Sequence, residues 1–132
     1  MGNSPSTWEI CGSGMSAQWR RMQVIAENLS NADNTRTEDG GPYEKKYAVF
    51  STVLDEMNGV RMEGTTPSQE PGREVFEPGH PHADENGMVR MPNVKMPLET
   101  VDMMSASRAY RANFMAMQNF RKIAKKTIEL MG

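Results

Sequence analysis

A chain of 132 residues supplies one domain's worth of material and a single modest core. Apolar residues make up 37% and charged residues 24%, which excludes wholesale disorder, while eight prolines and eleven glycines forecast loop-rich parts. Charge is unevenly spread: residues 1–37 are neutral, 38–95 hold eleven acids against six bases, and 96–132 hold three against six, so the concentrated basic face that nucleic-acid binding needs is missing.

The start, MGNSPSTWEI, has neither the basic nor the apolar segment of a secretory signal, so none is expected. It does fit the short Met-Gly-x-x-x-Ser pattern of N-myristoylation, a pattern that chance often produces. From there Trp8, Cys11, Met15, Met22, Ile25, Leu29 and Ala32 recur at alternating spacings of three and four, with Gln18 the polar member. This heptad stripe predicts a helix over about 6–31, roughly 40 Å long at 1.5 Å per residue. Ser6, with Glu9 three residues on, reads as a capping box. Cys11 is the single cysteine and sits on the seam, which rules out an internal disulfide and predicts no catalytic role.

A β-flavoured region follows. KKYAVFSTV mixes aromatic and β-branched residues as strands do, and REVFE is a further short strand. Asn58-Gly59, before VRM, and Asn86-Gly87, before MVRM, read as hairpin turns, with EGTTPSQEPG an exposed loop between them. From Leu98 to Met131 there is neither Pro nor Gly, and a helix of roughly 50 Å is predicted. One stripe runs through Met103, Ser107, Tyr110, Phe114, Met117, Ala124, Ile128 and Met131, with Arg121 as its odd member. A second, offset around the helix, includes Ala109, Ala116, Phe120, Ile123, Thr127 and Leu130. Two seams exceed what one partner helix can cover, so the surplus is expected to face neighbouring subunits. The expected fold is α+β: N- and C-terminal helices paired as a coiled coil around a small β-rich middle. The boundaries fall at 1–37, 38–96 and 97–132.

Chemistry is sparse. No GxSxG, P-loop, HExxH, CxxC or EF-hand pattern occurs, and no apolar run reaches the roughly 18 residues of a membrane helix. The one candidate lies in EPGHPHADENGMVRMPNV, residues 77–94. In an extended chain His80, His82 and Asp84 would point to one side, as a small metal-dependent hydrolase could use. The surroundings are polar and offer no evident group to orient the imidazoles, and Pro78-Gly79 and Pro81 favour a stiff bend. The expectation is no metal, no cofactor and no enzymatic activity, with the hydrolase and a cytosolic coiled-coil adaptor as the alternatives.

The same stretch closely resembles the signature loop of the flagellar basal-body rod proteins, in their proximal-rod class. Pro78, Gly79, His80, Pro81, Gly87, Met91, Pro92 and Asn93 stand on matching positions. AENLSNADNTRT is similar to the motif closing the N-terminal helix of bacterial axial proteins, with Asn28, Asn31 and Ala32 matching. GPYEKKYAVF resembles the family's first strand, and ASRAYRAN its C-terminal helix, through Ser107, Arg108, Tyr110 and Asn113. The chain departs from the pattern in Asp33-Asn34-Thr35-Arg36, which replaces a common Gly-Tyr, in Met88 where an aromatic is common, and in the large Trp8 and Trp19. The resemblance implies a structural subunit exported through the flagellar type III apparatus without a cleaved signal peptide. It would assemble with itself and other rod proteins into the torque-transmitting rod that crosses the periplasm, with no nucleic acid and no membrane insertion. Its terminal helices would form the inner rod layer and the middle would lie outside. Packing between subunits is then expected from Trp8, Met15, Met22, Ile25, Leu29, Tyr110, Phe114, Met117, Phe120, Ile128 and Met131.

Overall fold

The structure, a computed structural model, describes residues 7–52 and 59–132. The Ser6 cap, the myristoylation pattern and Asn58 of the first expected turn lie outside the described residues. The fold is α+β. Helix α1 spans Thr7–Ser30, and strands β1 (Lys46–Thr52) and β2 (Val60–Pro67) form one two-stranded sheet. Strands β3 (Glu74–Phe76) and β4 (Met88–Arg90) form another, and helix α2 runs Met96–Met131.

Local chemistry explains the helix ends. At the close of α1 the Glu27 carbonyl accepts the Asn31 amide at 3.1 Å, the Asn31 side-chain amide at 2.9 Å and the Ser30 hydroxyl at 2.9 Å. Asn31 Oδ1 in turn accepts the Asn34 side chain at 3.0 Å, and the chain leaves the helix in a short turn. Asparagine and serine thus serve the polar groups that a helix terminus leaves without partners. Helix α2 starts where the Lys95 carbonyl accepts the Glu99 amide, which puts Pro97 in the first turn, where its missing N–H costs no intrahelical bond.

Contacts divide the chain into two compact units, residues 1–22, 48–64 and 104–132 in one, and 23–47 and 65–103 in the other. The first unit buries Cys11, Ala17 and Ala106. Trp19 and Tyr110 bring their ring centroids to 6.4 Å at a tilt of 49°. A Cβ on Gly14 would lie 2.9 Å from the terminal atoms of the Asn113 amide, so the glycine leaves room on α1 for that side chain of α2. At its far edge the Ser13 hydroxyl accepts the Val60 amide at 3.2 Å and ties the start of β2 to α1. The second unit buries Val24, Ile25, Tyr43 and Val89 around a polar centre. Its β3 and β4 are antiparallel, pairing Glu74 with Arg90, Val75 with Val89 and Phe76 with Met88.

The structure departs from the sequence expectations in several places. On α2 the face turned inward carries Met103, Ala106, Tyr110, Asn113, Met117, Phe120 and Ala124, so Ala106 and Asn113 displace Ser107 and Phe114. A 3.5-residue repeat leaves a choice of one residue at alternate positions, and small side chains win where two backbones approach closely. On α1, likewise, Ala17, Val24 and Asn28 are buried while Met15, Met22 and Leu29 are half-buried and Trp8 is exposed. Strand β2 continues through Gly64, Thr65, Thr66 and Pro67 into what reads as loop, because threonines favour extended backbone and the proline falls at the strand's end. Asn86-Gly87 does not form a two-residue hairpin, since all of residues 77–87 connect β3 to β4.

Candidate functional site

The second unit is organised around a buried polar junction. Asn28, on the last turns of α1, is 1% exposed, and its side chain uses both ends. Its Nδ2 donates to the Lys46 carbonyl at 2.9 Å and to Glu99 Oε2 at 3.2 Å. Its Oδ1 accepts the Tyr43 hydroxyl at 2.8 Å and the Lys46 amide at 3.0 Å. One asparagine therefore joins the end of α1, the start of β1 and the first turn of α2. Glu99 is fully buried, and its Oε1 lies 2.6 Å from the Lys45 ammonium. Lys45 is the cation that compensates this buried carboxylate. Lys45, just before β1, is buried, while Lys46, its first residue, makes an exposed pair with Glu27 at 2.8 Å.

Burial works against the Lys45 charge, but the contact with Glu99 and, more weakly, with Tyr47 outweighs it and leaves the ammonium above the ordinary lysine value. The Tyr47 ring centroid lies 4.6 Å from Nζ. Tyr43 is pushed up to about 12, by burial first and then by the negative charges of Glu27 and Glu99. Both shifts are upward, so both contributions to stability are complete below the unfolded values and are lost as pH rises through the folded ones. Denaturant titration between about pH 9 and pH 12 should show stability falling steeply above about pH 10. A flat profile across that range would remove the junction from the account of stability.

The stretch 77–94 closes the other side. Asp84 Oδ1 accepts the amides of Asn86 and Met88, each at 2.9 Å, and the Asp84 amide donates to the Met88 carbonyl at 2.9 Å. Gly87, at φ +80°, completes the turn in a conformation that side chains oppose, and a Cβ there would meet the Phe76 ring at 2.9 Å. Glu77 donates its amide to the Gly87 carbonyl at 2.8 Å, while the Met91 amide reaches the Arg73 carbonyl at 2.9 Å. Asn93 then clamps two segments: its Oδ1 accepts the Lys45 amide at 2.6 Å and its Nδ2 donates to the Glu70 carbonyl at 2.8 Å. Beside it an open groove of about 800 Å³ is lined by Ala32, Pro92, Asn93, Met96 and Leu98.

Residues singled out in the sequence therefore separate. Asn28 and Asn93 stand at the junction, and Asn31 ends α1. Pro78, Gly79 and Pro81 shape turns at the surface, where Arg108 is also exposed. His80, His82 and Asp84 do not share an extended face. Asp84 is given over to backbone amides, and His82 Nδ1 sits 2.6 Å from the Thr35 hydroxyl. Among the described residues no group of three or more His, Cys, Asp or Glu could hold a metal ion. Nor is any described helix long and apolar enough to cross a membrane. Tyr43, Lys45 and Glu99 were missed.

Several large apolar side chains stand exposed among the described residues. Phe114 is 44% exposed, Ile128 70%, Leu130 89% and Met131 84%, all on α2. Long helices with exposed apolar seams suit packing against other proteins, and two family models name the class that carries them. Residues 9–36 match the model described as flagella basal body rod protein, and residues 85–130 match the C-terminal model of flagellar basal body rod FlgEFG proteins. The flagellar basal-body rod protein FlgC of Salmonella typhimurium is 41% identical over 93% of this chain and 94% of its own length. FlgC of Agrobacterium fabrum is 38% identical over 93% and 91%, and FlgC of Aquifex aeolicus 36% over 92% of each. The chain belongs to the FlgC family of flagellar basal-body rod proteins.

Proposed function

We propose that this chain is a structural subunit of the bacterial flagellar basal-body rod and acts through assembly, without catalysis. The observation that carries the reading is similarity to FlgC rod proteins along nearly the whole chain, both terminal helices included. The subunit joins itself and other rod proteins in a periplasm-crossing shaft that transmits torque, and it reaches that place through the flagellar type III export apparatus. Within the rod, α1 and α2 pair as a coiled coil to form the inner layer, with residues 38–96 outside. The close approach at Gly14 and the Trp19–Tyr110 contact support that pairing.

Neighbouring subunits then cover Trp8, Phe114, Ile128 and Met131, and complete the half-buried Met15, Met22, Leu29, Tyr110, Met117 and Phe120, while Ile25 anchors the helix from within. Such contacts are heterologous and do not close, as a helical array requires. A subunit of this kind needs torsional stiffness, and the junction of Asn28, Lys45 and Glu99 supplies it by fixing both helices to β1. Neither the metal-dependent hydrolase nor the cytosolic adaptor has an observation in its favour.

Peptide mass spectrometry of purified hook–basal bodies tests the reading. The tryptic peptide Glu74–Arg90 should be recovered from intact particles together with other rod proteins. Its absence from particles, with the protein abundant in the cytosol, would overturn the assignment.

A further inference from the structure

His82 links the β3–β4 loop to the segment that follows α1, and a hydrogen bond inside the loop fixes what His80 Nδ1 must present. A backbone N–H can only donate, and the His82 amide lies 3.0 Å from His80 Nδ1, so that nitrogen must present a lone pair. His82 Nδ1 lies 2.6 Å from the Thr35 hydroxyl, and Thr35 is itself buried. The imidazole centroids are 5.3 Å apart, tilted by 57°. Arg36, beside Thr35, adds a permanent positive charge from the α1 side. The loop's own carboxylates are Glu77, Asp84 and Glu85, all at exposed positions, and Asp84 is already bonded to the Asn86 and Met88 amides.

A proton on His80 Nδ1 would set one N–H against another. A proton on His82 would add a second positive charge beside Arg36. We infer that residues 80–82 form an acid-sensitive latch, in which His80 Nδ1 accepts the His82 amide and so presents the His82 ring to Thr35, an arrangement that a proton on Nδ1 breaks. Partial burial, then Arg36, then His80 all hold His82 below its ordinary value of 6.5. The sign follows: the latch contributes fully above about pH 6.5 and is lost as pH falls through the lower folded value. Release is local. The Asp84–Gly87 turn and the β3–β4 ladder contain no imidazole and keep their bonds, so acid loosens the first half of the loop only. This device stands independently of the rod assignment.

Amide hydrogen exchange followed by NMR on the full chain tests it. Protection of the His82 amide, corrected for intrinsic exchange, should fall at least about tenfold between about pH 7.5 and pH 5. In His80→Asn the side-chain oxygen can accept the same amide without titrating, so protection should stay within about twofold over that range. Constant protection in the unmodified chain, or an equal loss in His80→Asn, would overturn the latch. The ring nitrogen shifts of the unmodified chain give a check that does not depend on the variant's folding. His80 Nδ1 should be unprotonated at neutral pH, and a protonated Nδ1 there would overturn the proposal as well.

Discussion

Lys45→Met should destabilise the folded subunit by about 3–5 kcal/mol, because it removes the cation that faces the fully buried Glu99 carboxylate. For a chain of this size that corresponds to a fall in Tm of roughly 10–20 °C. The cause is asymmetry: Glu99 stays buried with its charge, while Asn28 can serve only Oε2. The double variant Lys45→Met, Glu99→Met should regain most of the loss, since buried ion pairs exchange for apolar groups of similar volume at little net cost. Thermal unfolding of both variants checks the pair. If Lys45→Met lost less than about 1 kcal/mol, Glu99 would be reaching solvent or neutral in the folded state, and the junction would not be the rigid element proposed. Glu99→Met also removes the bond from Asn28 Nδ2 to Oε2, while the Asn28 bonds to Tyr43 and to the Lys46 backbone remain in both variants.

Phe114→Asp should abolish motility while leaving synthesis, export and the stability of the isolated chain intact. At 44% exposure Phe114 contributes little to its own subunit, so the change in Tm should be small. In an assembled rod the same position would bury a carboxylate with no partner, which apolar surroundings do not tolerate. Swimming assays, with unfolding of the purified variant, separate the two effects. Normal swimming would take Phe114 out of the packing between subunits. Loss of motility together with a large fall in Tm would assign it to the interior of its own chain.

Much of the architecture was legible in the residues. Both long helices follow from heptad spacing, and α2 also from the run free of Pro and Gly from Leu98 onward. The strands follow from aromatic and β-branched clusters, and the end of α1 from its asparagines. Identity was legible too, because the 77–94 stretch and the Asn and ASRAYRAN motifs lie in order along the chain, and the relatives match over the same span. The candidate site was only half visible. Asn28 and Asn93 were marked by motif, but nothing local marks Lys45 or Glu99.

What the sequence by itself determined is the kind and order of elements, since periodicity, capping and turn chemistry act over a few residues. Tertiary structure alone decided which side of each stripe faces inward. A repeat of 3.5 residues cannot choose between Asn113 and Phe114, and that choice was made by the space Gly14 opens on the opposite helix. It also decided what the polar residues do. The bond from Asn28 to Glu99 spans 71 residues of chain, and the Thr35–His82 contact spans 47. Contacts between such distant groups leave no period to read, because the groups become neighbours only after the helices and strands have packed.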